Sequence, residues 1–122
     1  ITCLHCTYDP ESKGGNAPDG RKVKGTIHWV SGVDSTPCEI RLYDRLFGAE
    51  NPFVDGKENY LNHLNPDSLV VLENCLVEGG IGNAKPGDTF QFMRQGYYCV
   101  DTTSTEDKLV FNRTVALNSS WK

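Results

Sequence analysis

Gln91 and Arg94 stand three positions apart in FQFMRQGYY (Phe90–Tyr98), among four aromatic residues and just before Gly96. The aromatic residues alone describe a core strand. An amide that donates and accepts in one plane, beside a guanidinium that only donates, describes a group that reads a polar edge. In a regular strand these two side chains point to opposite faces, because their separation is odd. They can serve one ligand only if the strand breaks near Arg94, and Gln95-Gly96 is expected to supply that turn. The plain alternative is an Arg capping a hairpin and a Gln on a solvated face.

The other reactive residue types do not assemble into a catalytic pattern. Lys13-Gly14-Gly15-Asn16 lacks the spacing and the Lys-Ser/Thr ending of a phosphate-binding P-loop. There is no G-x-S-x-G elbow, and His5, His28 and His63 are isolated in the sequence. Cys3 and Cys6 have the C-x-x-C spacing of half a zinc site, but no second pair or H-x-x-x-H completes four ligands. The sequence therefore predicts no catalytic residue and no metal site. The five cysteines, Cys3, Cys6, Cys38, Cys75 and Cys99, are irregularly spaced, which points to free thiols in a reducing compartment rather than a disulfide framework. Asn112-Arg113-Thr114 and Asn118-Ser119-Ser120 match the glycosylation sequon, which has meaning only in a secreted chain.

A net charge of −4 gives no electrostatic support for nucleic-acid binding. Its distribution is more informative: Arg21, Lys22 and Lys24 form one basic cluster, and Arg41 and Arg45 a second. With 38% hydrophobic and 23% charged residues, the 122-residue chain has the composition of an ordinary soluble domain. That length buries a core without metal or disulfide, and its apolar runs are too short to span a membrane as helices. Met93 is the only Met, and Ile1-Thr2-Cys3 reads like strand interior, so a piece of a longer chain is expected.

The elements that must position these residues show a period of two. Lys22–Val30 sets Val23, Ile27 and Trp29 against Lys22, Lys24, Thr26 and His28, which predicts a half-buried strand with a basic outer face. Strands are also predicted at Glu39–Tyr43, Leu69–Leu72 and Leu109–Leu117, and Thr89–Met93 with Tyr97–Val100 forms a hairpin. Gly48–Asp67 reads as a long loop with one helical turn around Glu58–His63, and Lys85-Pro86-Gly87 as a turn. Short strands at near-regular spacing predict an all-β fold, an antiparallel barrel or sandwich with long loops.

DGRKVKGTIHWVS (Asp19–Ser31), EIRLYDRLF (Glu39–Phe47), NPDSL (Asn65–Leu69), FQFMRQGYY and FNRTVAL (Phe111–Leu117), followed by Trp121, occur together in one order. In that order and spacing they resemble the bacterial-type glutaminyl-tRNA synthetase family, in its carboxyl-terminal anticodon-binding region. The resemblance implies a β-barrel of a ribosomal-protein-like type, with residues 1–122 as the last part of the anticodon-binding domain. It implies that Gln91 and Arg94, matching a Gln-Phe-x-Arg motif, contact the central anticodon uridine, and that Met93 replaces a frequent acidic residue between them. The parent enzyme would ligate glutamine to its tRNA with ATP and magnesium, as a monomer in the cytoplasm, through a catalytic domain of the same chain. No cofactor is expected within these residues.

Around that reading, Arg21, Lys22 and Lys24 are candidates for the tRNA backbone. Arg41, Asp44 and Arg45 are expected to form an internal salt-bridge network, and Arg113 to pair with a carboxylate. Trp29 and Trp121 read as core or interface. Two other readings stay open: a related RNA-binding barrel of the glutamyl-tRNA synthetase or ribosomal type, and a secreted β-sandwich binding module.

Overall fold

Alternating sequence becomes strand where a partner is available to complete its hydrogen bonds. The computed structural model of the chain describes residues 5–12, 17–22, 25 and 27–117. The described residues contain five strands: β1 (Ser35–Tyr43), β2 (Leu69–Glu78), β3 (Thr89–Phe92), β4 (Gly96–Val100) and β5 (Leu109–Ala116). They form one sheet in the order β2-β1-β5-β4-β3. The pairs β1/β2, β3/β4 and β4/β5 are antiparallel, whereas β1/β5 is parallel. The all-β expectation holds. Among the described residues, however, the sheet is open, with β2 and β3 as its edges, and it is mixed rather than purely antiparallel. β1 and β5 are far apart in sequence, so no tight turn obliges them to run in opposite directions.

Phe111 is the centre of the core and is fully buried. The rings of Phe90 and Phe92 meet it edge-on at 6.2 and 5.2 Å, and Phe92 stacks on Tyr98 at 4.4 Å. Offset and edge-to-face geometries of this kind suit the aromatic quadrupole. Cys38, Val77, Val100 and Leu109 complete the cluster. Because side chains alternate, the residues between these anchors face the other side of the sheet.

Two departures from the sequence reading have physical causes. β1 starts at Ser35, earlier than predicted, and runs through Pro37. Its pairing with β5 begins only at Cys38, so Pro37 has β2 on one side and no ladder on the other. At that point β1 is locally an edge, where a residue lacking N–H is tolerated. The strand predicted over Lys22–Val30 is absent from its described residues, with Ile27 84% and Trp29 75% exposed; Val23, Lys24 and Thr26 lie outside the described residues. Period-two patterning gives that segment a strand tendency, but no neighbour among the described residues supplies the ladder.

The long connection between β1 and β2 carries a 3-10 helix at Lys57–His63, close to the predicted turn. It is pinned by a Phe47–Leu64 bridge, by Tyr60 packing against Phe47 and Phe53, and by Asp55 at 2.9 Å from His63 Nε2. The predicted Lys85-Pro86-Gly87 turn is also present. The Asp88 N–H donates to the Lys85 carbonyl at 2.9 Å, and Gly87 takes φ 93°, which its lack of Cβ permits. This turn delivers the chain to β3.

Candidate functional site

The β3–β4 hairpin presents the candidate residues. Phe90 and Phe92 anchor β3 to the core, so Gln91 between them faces away, exposed, directly across from Tyr97. The strands close at Phe92 and Gly96, leaving Met93, Arg94 and Gln95 as the loop. The Gln95 N–H donates to the Phe92 carbonyl at 2.9 Å. The turn therefore lies slightly earlier than expected: Gly96 is already the first residue of β4, and the break falls on Arg94 itself.

Arg94 has φ 65°, and it and Asn74 are the two non-glycine residues with positive φ among those described. For an L residue this conformation costs about 1–2 kcal/mol. A bulky residue kept in such a conformation is a pointer from backbone geometry to function. The break also removes the odd-separation argument that would send Gln91 and Arg94 to opposite faces. Among the described residues, neither the Gln91 amide nor the Arg94 guanidinium has a side-chain hydrogen bond or ion pair. Both keep their full hydrogen-bonding capacity for another molecule. Tyr97, on the same face as Gln91 and 46% exposed, adds an aromatic surface beside the amide. The sequence concealed it among four aromatic residues; the register that separates it from Tyr98 depends on the three-residue loop.

The basic cluster divides. Arg21 is held by Asp9 Oδ2 at 2.5 Å and Asp19 Oδ2 at 2.7 Å, so its charge is locally balanced. Lys22 is exposed, and Lys24 lies outside the described residues. The expected Arg41 network exists with different partners. Buried Glu39 accepts from Arg41 Nε at 2.8 Å and from Lys108 Nζ at 2.6 Å, and Arg41 also approaches Asp101 at 3.7 Å. Asp44 takes no part and instead accepts the Arg45 N–H at 2.7 Å. The carboxylate expected beside Arg113 is not found among the described residues: Arg113 is opposite Tyr98 in the sheet and lines the apolar groove on the core face. Trp29 lines the same groove, and Trp121 lies outside the described residues. Of the C-x-x-C pair, Cys6 is exposed and Cys3 lies outside the described residues.

Asp101 is the electrostatic hub on the outer face. Thr103 donates to it through its hydroxyl at 2.6 Å and its N–H at 2.8 Å, and the Asn112 amide donates at 2.5 Å. These bonds, with Arg41 nearby, pull its carboxyl down to about 2 from an ordinary 3.8. Lys108 and then Arg41 likewise hold Glu39 below the usual carboxylate range. A depressed folded-state pKa contributes stability above the unfolded value and loses it as pH falls through the folded value. The Asp101 contribution is thus complete above about 3.8 and lost towards about 2. Urea midpoints at pH 5 and pH 2.5 should differ more for this chain than for Asp101→Asn. Equal differences in the two would remove Asp101 from the account. The same network occupies Asn112, whose amide donates to Asp101 and whose Oδ1 is buried.

No helix among the described residues is long and apolar enough to cross a membrane. Comparison with known proteins gives a consistent picture. A family model described as the anti-codon binding domain of class I tRNA synthetases (E and Q) matches residues 26–101. A glutamine–tRNA ligase of Vibrio parahaemolyticus is 52% identical over 122 residues, covering 99% of this chain and 21% of its own length. Those of Pseudomonas syringae pv. tomato and Nitrobacter winogradskyi are 50% and 49% identical, over 99% and 97% of this chain and 21% of their own lengths. The chain spans about a fifth of the length of these relatives.

Proposed function

The chain belongs to the anticodon-binding domain family of class I tRNA synthetases (E and Q), and on that premise we propose that it recognises the central base of a tRNA anticodon, a uridine, through Gln91 and Arg94. Residues 1–122 then form the carboxyl-terminal part of an anticodon-binding domain. The observation that carries this reading is the β3–β4 hairpin: an exposed amide and guanidinium without partners among the described residues, the latter residue held in the left-handed conformation.

The chemistry suits uracil. Its Watson–Crick edge presents an N–H donor flanked by two carbonyl acceptors. A Gln amide matches one of each, and Arg adds donors for the remaining carbonyl or a phosphate. Single-stranded anticodon bases can be splayed out and read on this edge, with an aromatic ring as a shelf. Cytosine reverses two of the three edge positions, leaving polar groups unpaired at about 1–3 kcal/mol each. Lys22 and Lys24 would add phosphate contacts, which raise affinity and salt dependence without carrying sequence information. Arg21 would join them only by exchanging Asp9 and Asp19 for phosphate.

Because the relatives are glutamine–tRNA ligases, the proposal extends to the longer protein. It would join glutamine to its tRNA with ATP and magnesium, as a cytoplasmic monomer, through a catalytic domain outside these residues. No residue of this chain is assigned to ATP or metal.

The test is an NMR titration of the labelled chain with the anticodon stem-loop of glutamine tRNA, beside a loop whose central uridine is cytidine. Shifts should centre on Gln91, Arg94 and Gly96, and the cytidine loop should bind about tenfold or more weakly. Gln91→Ala should bring the two loops close to equal affinity. Arg94→Gly should weaken binding while leaving the fold at least as stable, since glycine relieves the positive φ. Equal binding of both loops by the unaltered chain would overturn the assignment.

A further inference from the structure

We propose that Cys38 and Cys75 are an oxidisable thiol pair, which a peroxide converts into a disulfide stapling edge strand β2 to β1. The two residues are directly opposed in the antiparallel β1/β2 register. Both are free, and both belong to the packing of the one core cluster, so they share a face of the sheet. Opposed residues of antiparallel strands have Cα atoms about 4.5–5.5 Å apart, inside the about 4.4–6.8 Å that a disulfide spans.

Their environments give the two sulfurs different roles. Cys38 is buried, and burial, reinforced by the neighbouring Cys75, pushes its thiol up to about 11. It therefore stays protonated and shielded. Cys75 is half-buried and lines a groove of about 510 Å³ together with Trp29, Ile40, Leu42, Leu76 and Tyr98. A small oxidant entering this groove meets Cys75 first. Next to the pair the register shifts by one residue, between Cys38 and Ile40, and Asn74 takes φ 59°. The pair thus adjoins a bulge, where the strands already depart from the regular pleat.

The chemistry balances. The Cys75 thiolate attacks one peroxide oxygen, breaking the O–O bond and releasing hydroxide. This leaves a sulfenic acid on Cys75, with the sulfur oxidised and the peroxide reduced by two electrons. The Cys38 sulfur then attacks the Cys75 sulfur and expels hydroxide, which takes the Cys38 proton and departs as water. Two thiols and one peroxide give one disulfide and two waters. Among the described residues β2 has β1 as its one strand neighbour, so the bond ties an edge of the sheet to its interior.

The full chain is exposed to hydrogen peroxide, blocked with N-ethylmaleimide, digested without reduction and mapped by mass spectrometry. The expected product is a Cys38–Cys75 linked peptide lighter by two hydrogen atoms, with maleimide lost from both residues and restored by dithiothreitol. Amide exchange along Leu69–Glu78 should slow on oxidation and recover on reduction. In Cys38→Ser a 1,3-dione probe should trap the sulfenic acid on Cys75. The unaltered chain decides the matter without any variant. Overturning results would be Cys38 and Cys75 both remaining reduced, or links to Cys6 or Cys99 forming in equal yield.

Discussion

Phe111→Ala is expected to cost about 3–5 kcal/mol, the range for truncating a fully buried aromatic side chain. Among the described residues Phe111 is the one large side chain with no exposure at all, and three elements depend on it. It pairs with Val100 of β4 and Ile40 of β1, and its ring supports Phe90 and Phe92 of β3. Truncation removes both edge-to-face contacts and leaves a cavity that the stiff sheet can only partly close. A domain of ordinary stability holds roughly 5–15 kcal/mol, so the variant is left close to unfolding. Function should fail by the same route, because Gln91 is aimed outward by the two phenylalanines beside it. Urea unfolding checks the first claim and RNA binding the second. A loss below about 1 kcal/mol, outside the range for a buried aromatic residue, would mean that the sheet is organised around something other than this ring.

Gly96→Ala is expected to be nearly as damaging, at about 2–4 kcal/mol from backbone strain and overpacking together. Gly96 has φ 144°, which residues with a Cβ rarely adopt. A Cβ built there falls 2.4 Å from the Val115 carbonyl oxygen and 3.3 Å from the Ala116 Cα, both backbone atoms of β5 that cannot swing aside. The variant must open either the β3–β4 turn or the β4/β5 ladder. It should therefore lose amide-exchange protection at Gly96–Tyr98 and Val115–Ala116 before the rest of the sheet. Arg94→Gly, two residues away in the same turn, is expected to leave stability intact. The contrast between the two variants separates what the turn needs to fold from what it needs to bind. Equal stability of Gly96→Ala and the unaltered chain would show that β5 lies further from the turn than in this structure.

Much of the architecture follows from local signals. The alternation of Phe90 and Phe92 with Gln91 already implies an outward amide, and the glycine after Arg94-Gln95 already implies a hairpin. Pro86-Gly87 dictates its turn through fixed and permissive backbone angles. The 3-10 helix at Lys57–His63 lies where its short polar pattern pointed. The outward face of Gln91 and the break beyond it were thus legible, because the aromatic pattern and the turn residues around them act within a few residues, whereas the pairing of Gln91 with Arg94 rests on the family motif.

What the sequence could not decide depends on contacts between distant segments. Lys22–Val30 has as good an alternation as β5, yet its described residues form no strand, because only a neighbour's ladder turns that tendency into structure. The parallel β1/β5 pairing has no sequence mark. It brings Lys108 within 2.6 Å of Glu39 across 69 positions, while Arg41 meets Asp101 at 3.7 Å rather than the nearby Asp44. The opposition of Cys38 and Cys75 likewise depends on register alone. The sequence by itself determined the faces of the hairpin strands and the turns that join them, since those depend on backbone angles and side-chain periodicity. The tertiary structure alone decided which strands are neighbours, which charges meet and where Arg94 takes its left-handed turn, since those depend on how distant segments pack.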